Sequence, residues 1–256
     1  MIEPIYIIGA GLLGLIFGSF LNALLFRYNT GRSVISLSPA QGRSRCMHCG
    51  HTLAAADLIP LLSYVYLNGK CRYCRSHISF QYPAVEAAAA VLSVLVYLQY
   101  PEPAQYALGL AVWLTLLFIV VYDLRHQIIP WSASIVLAAL VLIQVFVFQF
   151  SILNLMAGPL LAAPLLLLSL VSRGRWMGWG DGPLELCLGW LLGFTAGLTA
   201  LFIAFWVGAV VGIALLIFGK GVTIKSEVPF APFLILGAAL SYFLHVDFFQ
   251  TLTAFF

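Results

Sequence analysis

Apolar residues run through this chain in long uninterrupted blocks, each cut from the next by a short polar or Gly/Pro-bearing break. About 20 apolar residues in helical form cross the hydrocarbon core of a bilayer. Read at that length, the pattern predicts eight helices, roughly 5–26, 84–100, 104–122, 132–150, 152–171, 184–197, 198–218 and 230–245. The sixth is short, and its boundary with the seventh falls among Gly193–Gly197 without a sharp signal. The first block exceeds the length of a signal-peptide core and lacks a basic flank and a small-residue cleavage site, so it is expected to be a retained helix. The stretch 58–67 is apolar but too short to span, and is expected to lie on the membrane or pack beneath the helices.

Composition agrees. Hydrophobic residues make up 62% of the 256 and charged residues 8%, against about 25% charged in a soluble domain. An all-α polytopic membrane protein follows. Its polar positions give it an orientation. Arg27, Arg32, Arg43, Arg45, Lys70, Arg72 and Arg75 fall between the first and second blocks, and Arg125 between the third and fourth. Arg173 and Arg175 lie between the fifth and sixth, Lys220 and Lys225 between the seventh and eighth. All 12 basic residues therefore share one side, which the positive-inside rule makes cytoplasmic, while the connections 99–104, 149–154 and 194–199 hold none. Both termini are then expected to face outward. The divisions expected are a first helix (1–26), a cytosolic lobe (27–82) and a membrane core (83–256).

The lobe carries Cys46-Met-His-Cys49 and Cys71-Arg-Tyr-Cys74, with 21 residues (50–70) between them. Each CxxC turns two thiolates toward one point, and the spacer is long enough to fold back, which suits a four-thiolate tetrahedral zinc site. Thiols stay reduced in the cytosol, so metal ligation is favoured over disulfides. A bound Zn2+ would replace the hydrophobic core that so few residues cannot build. The alternative is four unmetallated cysteines in a loop. His48, His51 and His77 are nearby but not needed to complete the site, and Cys187 is expected to be a small buried apolar residue. Nucleic-acid binding is not indicated, since inside topology already accounts for the basic residues.

Ionisable groups at membrane depth are functional candidates. The expected topology places Asn22, Glu86, Asp123, Asp181 and Glu185 at the inner ends of their helices. For Asn22 a helix-packing hydrogen bond is the favoured role, and Glu86 has Arg75 or Arg125 as candidate partners. The two aspartates point elsewhere. Asp181 sits in Gly178-Trp-Gly180-Asp181-Gly182, where missing side chains allow another backbone to approach. Two neighbouring carboxylates cannot easily both ionise and would share a proton. The ionised one would draw a proton from water while its protonated partner polarises a peptide carbonyl.

Taken in order, these pieces resemble the bacterial prepilin peptidases, membrane aspartic proteases of type IV pilus and type II secretion systems. The resemblance rests on Gly18-Ser-Phe-Leu-Asn22 with Arg27, both CxxC pairs, and Ile59-Pro-Leu-Leu-Ser-Tyr64. It continues through Gly69-Lys-Cys-Arg-Tyr-Cys74, Ile78-Ser-Phe-Gln-Tyr-Pro-Ala-Val-Glu86, Asp123 with Ile129-Pro130, and Gly178-Trp-Gly-Asp181. It implies that Asp123 and Asp181 are the catalytic pair, with Gly178, Gly180, Glu86 and Asn22 in support. It further implies cleavage of prepilins or pseudopilins after a glycine, at the inner face of the bacterial inner membrane, and N-methylation of the new terminus from S-adenosylmethionine. The lobe itself has no GxGxxG fingerprint and is too small for a Rossmann unit. The chain departs from the family at Trp131, where an aspartate is usual, at Arg125, where an acid is common, and at Gly182-Pro183, where an aliphatic residue and a lysine are favoured. These changes bear on substrate handling near Asp181. A second class of function, a proton- or ion-coupled transporter or scaffold, would use the same buried acids. It would be favoured by internal inverted repeats, and the sequence shows none.

Overall fold

A computed structural model describes residues 3–28, 44–148, 151–219, 223 and 228–248. Among them the ordered elements are helical. They are α1 (Pro4–Arg27), a 3-10 turn (Ala55–Leu58), α2 (Leu62–Tyr66), α3 (Gln81–Gln99), α4 (Pro103–His126), α5 (Trp131–Phe148), α6 (Ile152–Ser172), α7 (Asp181–Leu192), α8 (Phe194–Phe218) and α9 (Ala231–Leu244). A helix satisfies its own backbone, and hydrocarbon offers no other partner, so an apolar chain of this kind has little alternative.

Each of the eight apolar blocks forms a helix, but the expected count of eight spans is not matched. Among the described residues six helices (α1, α3, α4, α5, α6 and α8) are long and apolar enough to cross a membrane. Helix α7 has 12 residues and α9 has 14, about 18 and 21 Å at the helical rise, short of a core about 30 Å thick. The physical cause at α7 is Gly193, whose φ of 79° ends one helix before α8 begins. The break falls at the first residue of the Gly193–Gly197 stretch in which the sequence placed the boundary. Arg32, Arg43, Lys220 and Lys225, and part of the 149–154 connection, lie outside the described residues.

The chain divides into two compact units, Met1–Phe118 and Ile119–Phe256. In the first, α1 and α3 pack antiparallel through small residues. A Cβ on Gly14 would lie 2.6 Å from the Ala89 carbonyl oxygen and from the Ala90 Cα, and one on Gly18 would lie 2.8 Å from the Glu86 Cα. Gly14 and Gly18 thus form a small-xxx-small face against Ala89, Ala90 and Ser93. The close approach lets the Ser93 hydroxyl donate to the Ala10 carbonyl at 2.6 Å.

In the second unit the same device joins α6 to α7. The Cα of Gly158 would sit 2.8 Å from a Cβ on Gly189. Pro159 lies inside α6 and lacks an N–H, which frees the carbonyl four residues earlier, at Leu155. The Trp190 indole of α7 donates to that oxygen at 2.9 Å. Cys187 is buried in α7 as expected. Helix α8 is the extreme case of an all-round apolar surface, with only 11% of its central stretch buried by protein. An apolar helix left this uncovered by the protein suits a lipid surround.

Gly14→Ala should force α1 and α3 apart, because the atoms it meets are backbone and cannot rotate away. We expect a loss of about 1–3 kcal/mol in unfolding measured in detergent. Gly9→Ala, with nothing within 4 Å of the added carbon, should be neutral.

Candidate active site

Asp123 lies in the last turn of α4, and Asp181 is the first residue of α7. Both side chains are buried, and the two carboxylates are near enough to act on one another electrostatically. Local sequence explains the position of each. The Gly178-Trp-Gly180 turn leads into α7 so that Asp181 occupies its first turn, where a negative charge faces the positive end of the helix dipole. The Asp181 Oδ2 accepts the Gly178 N–H at 3.0 Å. On the other side of that loop the Ser169 hydroxyl donates to the Gly178 carbonyl at 3.2 Å. The Gly178 residue is therefore tied at both its polar atoms. Pro183 fits because it falls in the first helical turn, where its missing N–H had no intrahelical acceptor to lose.

Asp123 is held differently. The Ala231 N–H, at the start of α9, is directed at its carboxylate. The Asp123 Oδ2 is buried with no hydrogen-bond partner from the protein. Asp123 thus presents one oxygen to the backbone and leaves the other free to hold a proton or a ligand atom. Gly180 joins the two halves of the site: a Cβ there would lie 2.7 Å from the Ile129 Cβ. The loop before Asp181 packs against the Ile129-Pro130 segment that follows Asp123.

Ser169 and the Ala231 N–H were not among the residues singled out from sequence. For Ala231 a signal existed: Pro232 stands in the first turn of α9 and marks a helix start. Ser169 lies in an apolar run like any packing serine, and nothing local distinguishes it. Glu185, one turn beyond Asp181 on α7, is fully buried, and its Oε1 has no partner.

Glu86 and Asn22 come together within the first unit. Asn22 Nδ2 donates to the Tyr82 carbonyl at 3.1 Å, tying α1 to the start of α3. Glu86 Oε2 accepts the Leu61 N–H at 2.9 Å, and Ser19 also bonds its carboxylate. These contacts bind α1 to α3 and, through Glu86, the lobe to α3.

The four cysteines converge. Their sulfurs lie within 4.8 Å of one another, all are free thiols, and Cys46 and Cys74 stand 3.8 Å apart. Four thiolates at about 2.3 Å from a tetrahedral ion would be about 3.8 Å apart, so the set can hold a metal ion. The two knuckles are built alike. The Gly50 N–H bonds the Cys46 carbonyl and the Arg75 N–H bonds the Cys71 carbonyl, at 2.9 and 3.0 Å. Both closing residues have positive φ, 70° and 59°. Short antiparallel bridges, Arg45 with Thr52 and Lys70 with His77, clamp each turn. The Cys49 backbone N–H beside Cys46 pulls that thiol down to about 6, and the Ser76 hydroxyl, 3.1 Å from Cys74, lowers the second. Cys49, facing these thiols, is pushed up to about 11 by burial and by its neighbours, as four close sulfurs repel a further negative charge.

An all-helical multi-pass membrane protein with a four-cysteine lobe and a buried acid pair is the class that fold and site define. Residues 12–100 match the bacterial peptidase A24 N-terminal domain, and residues 108–213 match the type IV leader peptidase family. A prepilin leader peptidase/N-methyltransferase of Dichelobacter nodosus is 31% identical over 93% of this chain and 92% of its own length. One of Bacillus subtilis is 31% identical over 90% of each. A type 4 prepilin-like proteins leader peptide-processing enzyme of Escherichia coli is 39% identical over 46% of this chain and 48% of its own. No solved structure matches. The chain belongs to the type IV leader peptidase family.

Gly180→Ala should strain the loop against Ile129 by about 1–3 kcal/mol. Ile129→Gly in the same chain, which removes the Cβ that the new methyl would meet, should make the added methyl far less costly. A double-mutant cycle of unfolding checks it, the expected coupling being at least about 0.5 kcal/mol.

Proposed function

We propose that this protein is a membrane aspartic endopeptidase that removes the short basic leader from type IV prepilins and pseudopilins at the cytosolic face of the inner membrane. The observation that carries it is the free, buried Oδ2 of Asp123 beside a second buried acid anchored on a glycine loop. The names of the relatives supply the substrate class.

The chemistry follows from the arrangement. One proton is shared by Asp123 and Asp181, and the pair titrates as a unit. The ionised carboxylate takes a proton from water, and the water oxygen bonds to the scissile carbonyl carbon. The protonated acid donates a hydrogen bond to the carbonyl oxygen as charge develops there. Collapse of the tetrahedral adduct breaks the C–N bond, and a proton passes from the pair to the leaving amine. Gly178 donates its N–H to the Asp181 carboxylate, and Gly180 lets the loop close against Ile129, so the two glycines position the acid. Asn22 and Glu86 support the fold by fixing α1 to α3 and the lobe to α3.

Residues 27–82 form the lobe and 83–256 the peptidase core in this reading. Cys46, Cys49, Cys71 and Cys74 hold a structural Zn2+, which with four thiolates has no open position for water and takes no part in peptide cleavage. Methylation of the new N-terminus from S-adenosylmethionine rests on the relatives' names, and no step is derived through that cofactor.

The test is incubation of purified protein with a prepilin, followed by mass spectrometry of the mature terminus, which reads cleavage and methylation together. Asp123→Asn and Asp181→Asn should each remove nearly all cleavage with the fold intact, and wild-type activity in either would end the dyad mechanism. The rate should follow a bell in pH, falling where the pair becomes doubly protonated or doubly ionised. Cys46→Ser and Cys71→Ser should lower bound zinc and thermal stability together. If a chelator stopped cleavage at once without moving the thermal transition, the metal would be catalytic.

A further inference from the structure

The tightest point of the lobe backbone is Leu61. Its φ of 58° and ψ of −48°, with the Leu62 N–H bonded to the Pro60 carbonyl at 2.6 Å, make a γ-turn of the rare, strained hand. A conformation of this kind costs about 1–3 kcal/mol and persists only where its surroundings enforce it. The enforcing group is Glu86, whose carboxylate accepts the Leu61 N–H.

That bond also sets a depth. Helix α3 has 19 residues, about 28 Å, and needs its whole length to cross a hydrocarbon core of about 30 Å. Glu86 lies five residues in, about 7.5 Å from the first residue of the helix. The Pro60–Leu62 turn is therefore held level with the first turns of a membrane-spanning helix, inside the headgroup boundary.

What the turn presents at that depth is apolar and uncovered. Leu62, Val65 and Tyr66 are 67%, 71% and 78% exposed, and Leu58 and Ile59 beside them are exposed too. The five residues of α2 carry no charge. Exposed cations follow directly at Lys70, Arg72 and Arg75, and Arg72 is also paired with Asp57 at 2.7 Å. A contiguous apolar patch rimmed by cations suits an anionic lipid interface: aliphatic side chains sink about 5–10 Å, the tyrosine sits at headgroup level and the cations meet phosphates. The lobe is joined along the chain to a spanning helix on either side, so the patch stays within reach of the bilayer.

We infer that Leu58, Ile59, Leu62, Val65 and Tyr66 form an interfacial anchor that seats the cysteine lobe on the phospholipid surface beside α1 and α3. Glu86 holds the anchor at that depth. The inference is independent of the peptidase reading and concerns only how the lobe meets the membrane.

The test uses the full chain in vesicles of phosphatidylcholine and phosphatidylglycerol, with an environment-sensitive fluorescent amino acid in place of Val65. Lipids brominated on their acyl chains should quench most of its emission, and aqueous iodide should have little effect. Strong quenching by iodide with none by brominated lipid would overturn the anchor. Shielding that develops only after a prepilin is added would also overturn it, and would make the ridge a substrate surface. The double variant Leu62→Glu, Val65→Glu tests the same face without a probe. Its zinc content should be retained, because these side chains are outside the lobe's own packing, and trypsin should cleave at Lys70 and Arg75 several-fold faster in vesicles. Unchanged cleavage with unchanged zinc would count against the anchor.

Discussion

Hydrocarbon supplies no hydrogen-bond partner, so an acid carried into this helical bundle depends on the protein's own backbone to hold it. Three times the structure answers in the same way. Asp181 takes the Gly178 N–H, Asp123 faces the Ala231 N–H, and Glu86 takes the Leu61 N–H. In each case the donor belongs to a turn or a helix start, the only places where a helical protein has backbone N–H groups to spare. Placing an acid in such a fold therefore means breaking a helix nearby. The Gly178–Gly180 loop, the start of α9 and the strained turn at Leu61 are those breaks.

The same scarcity governs how the helices meet. Apolar side chains gain little from leaving lipid for protein, so association relies on close backbone approach and on the few polar atoms available. Gly14 and Gly18 give α1 that approach to α3, and Gly158 and Gly189 give it to α6 and α7. Pro159 opens a carbonyl in α6, and the Trp190 indole fills it. A defect in one helix becomes a directional contact with the next, and α7, too short to span, is fixed by it beside α6 with Asp181 at its tip.

The lobe solves a different problem with different chemistry. It lies between two spanning helices and has little apolar interior, so its order comes from four converging sulfurs, two matching turns and a bond to α3 through Glu86. Its exposed apolar ridge, which would be a liability in water, is explained by the lipid surface beside it.

The sequence by itself determined the class of the molecule, because block length and charge depletion leave few alternatives to a helical membrane protein. It also placed the four cysteines in one lobe, since CxxC spacing is a local property that brings two sulfurs together whatever the rest does. It marked Asp123 and Asp181 through their neighbouring glycines and helix ends. Only the tertiary structure decided that α7 stops at Leu192, since the positive φ of Gly193 fixes the break at one end of the Gly193–Gly197 stretch that the sequence left open. Only it showed that Asp123 leans on the start of a helix more than 100 residues away, that Ser169 pins the Gly178 loop, and that Glu86 holds a strained turn rather than an arginine. These partners are backbone groups or a lone serine, and a backbone N–H has no letter in a sequence; its availability is set by where the helices end and which ends the fold brings together.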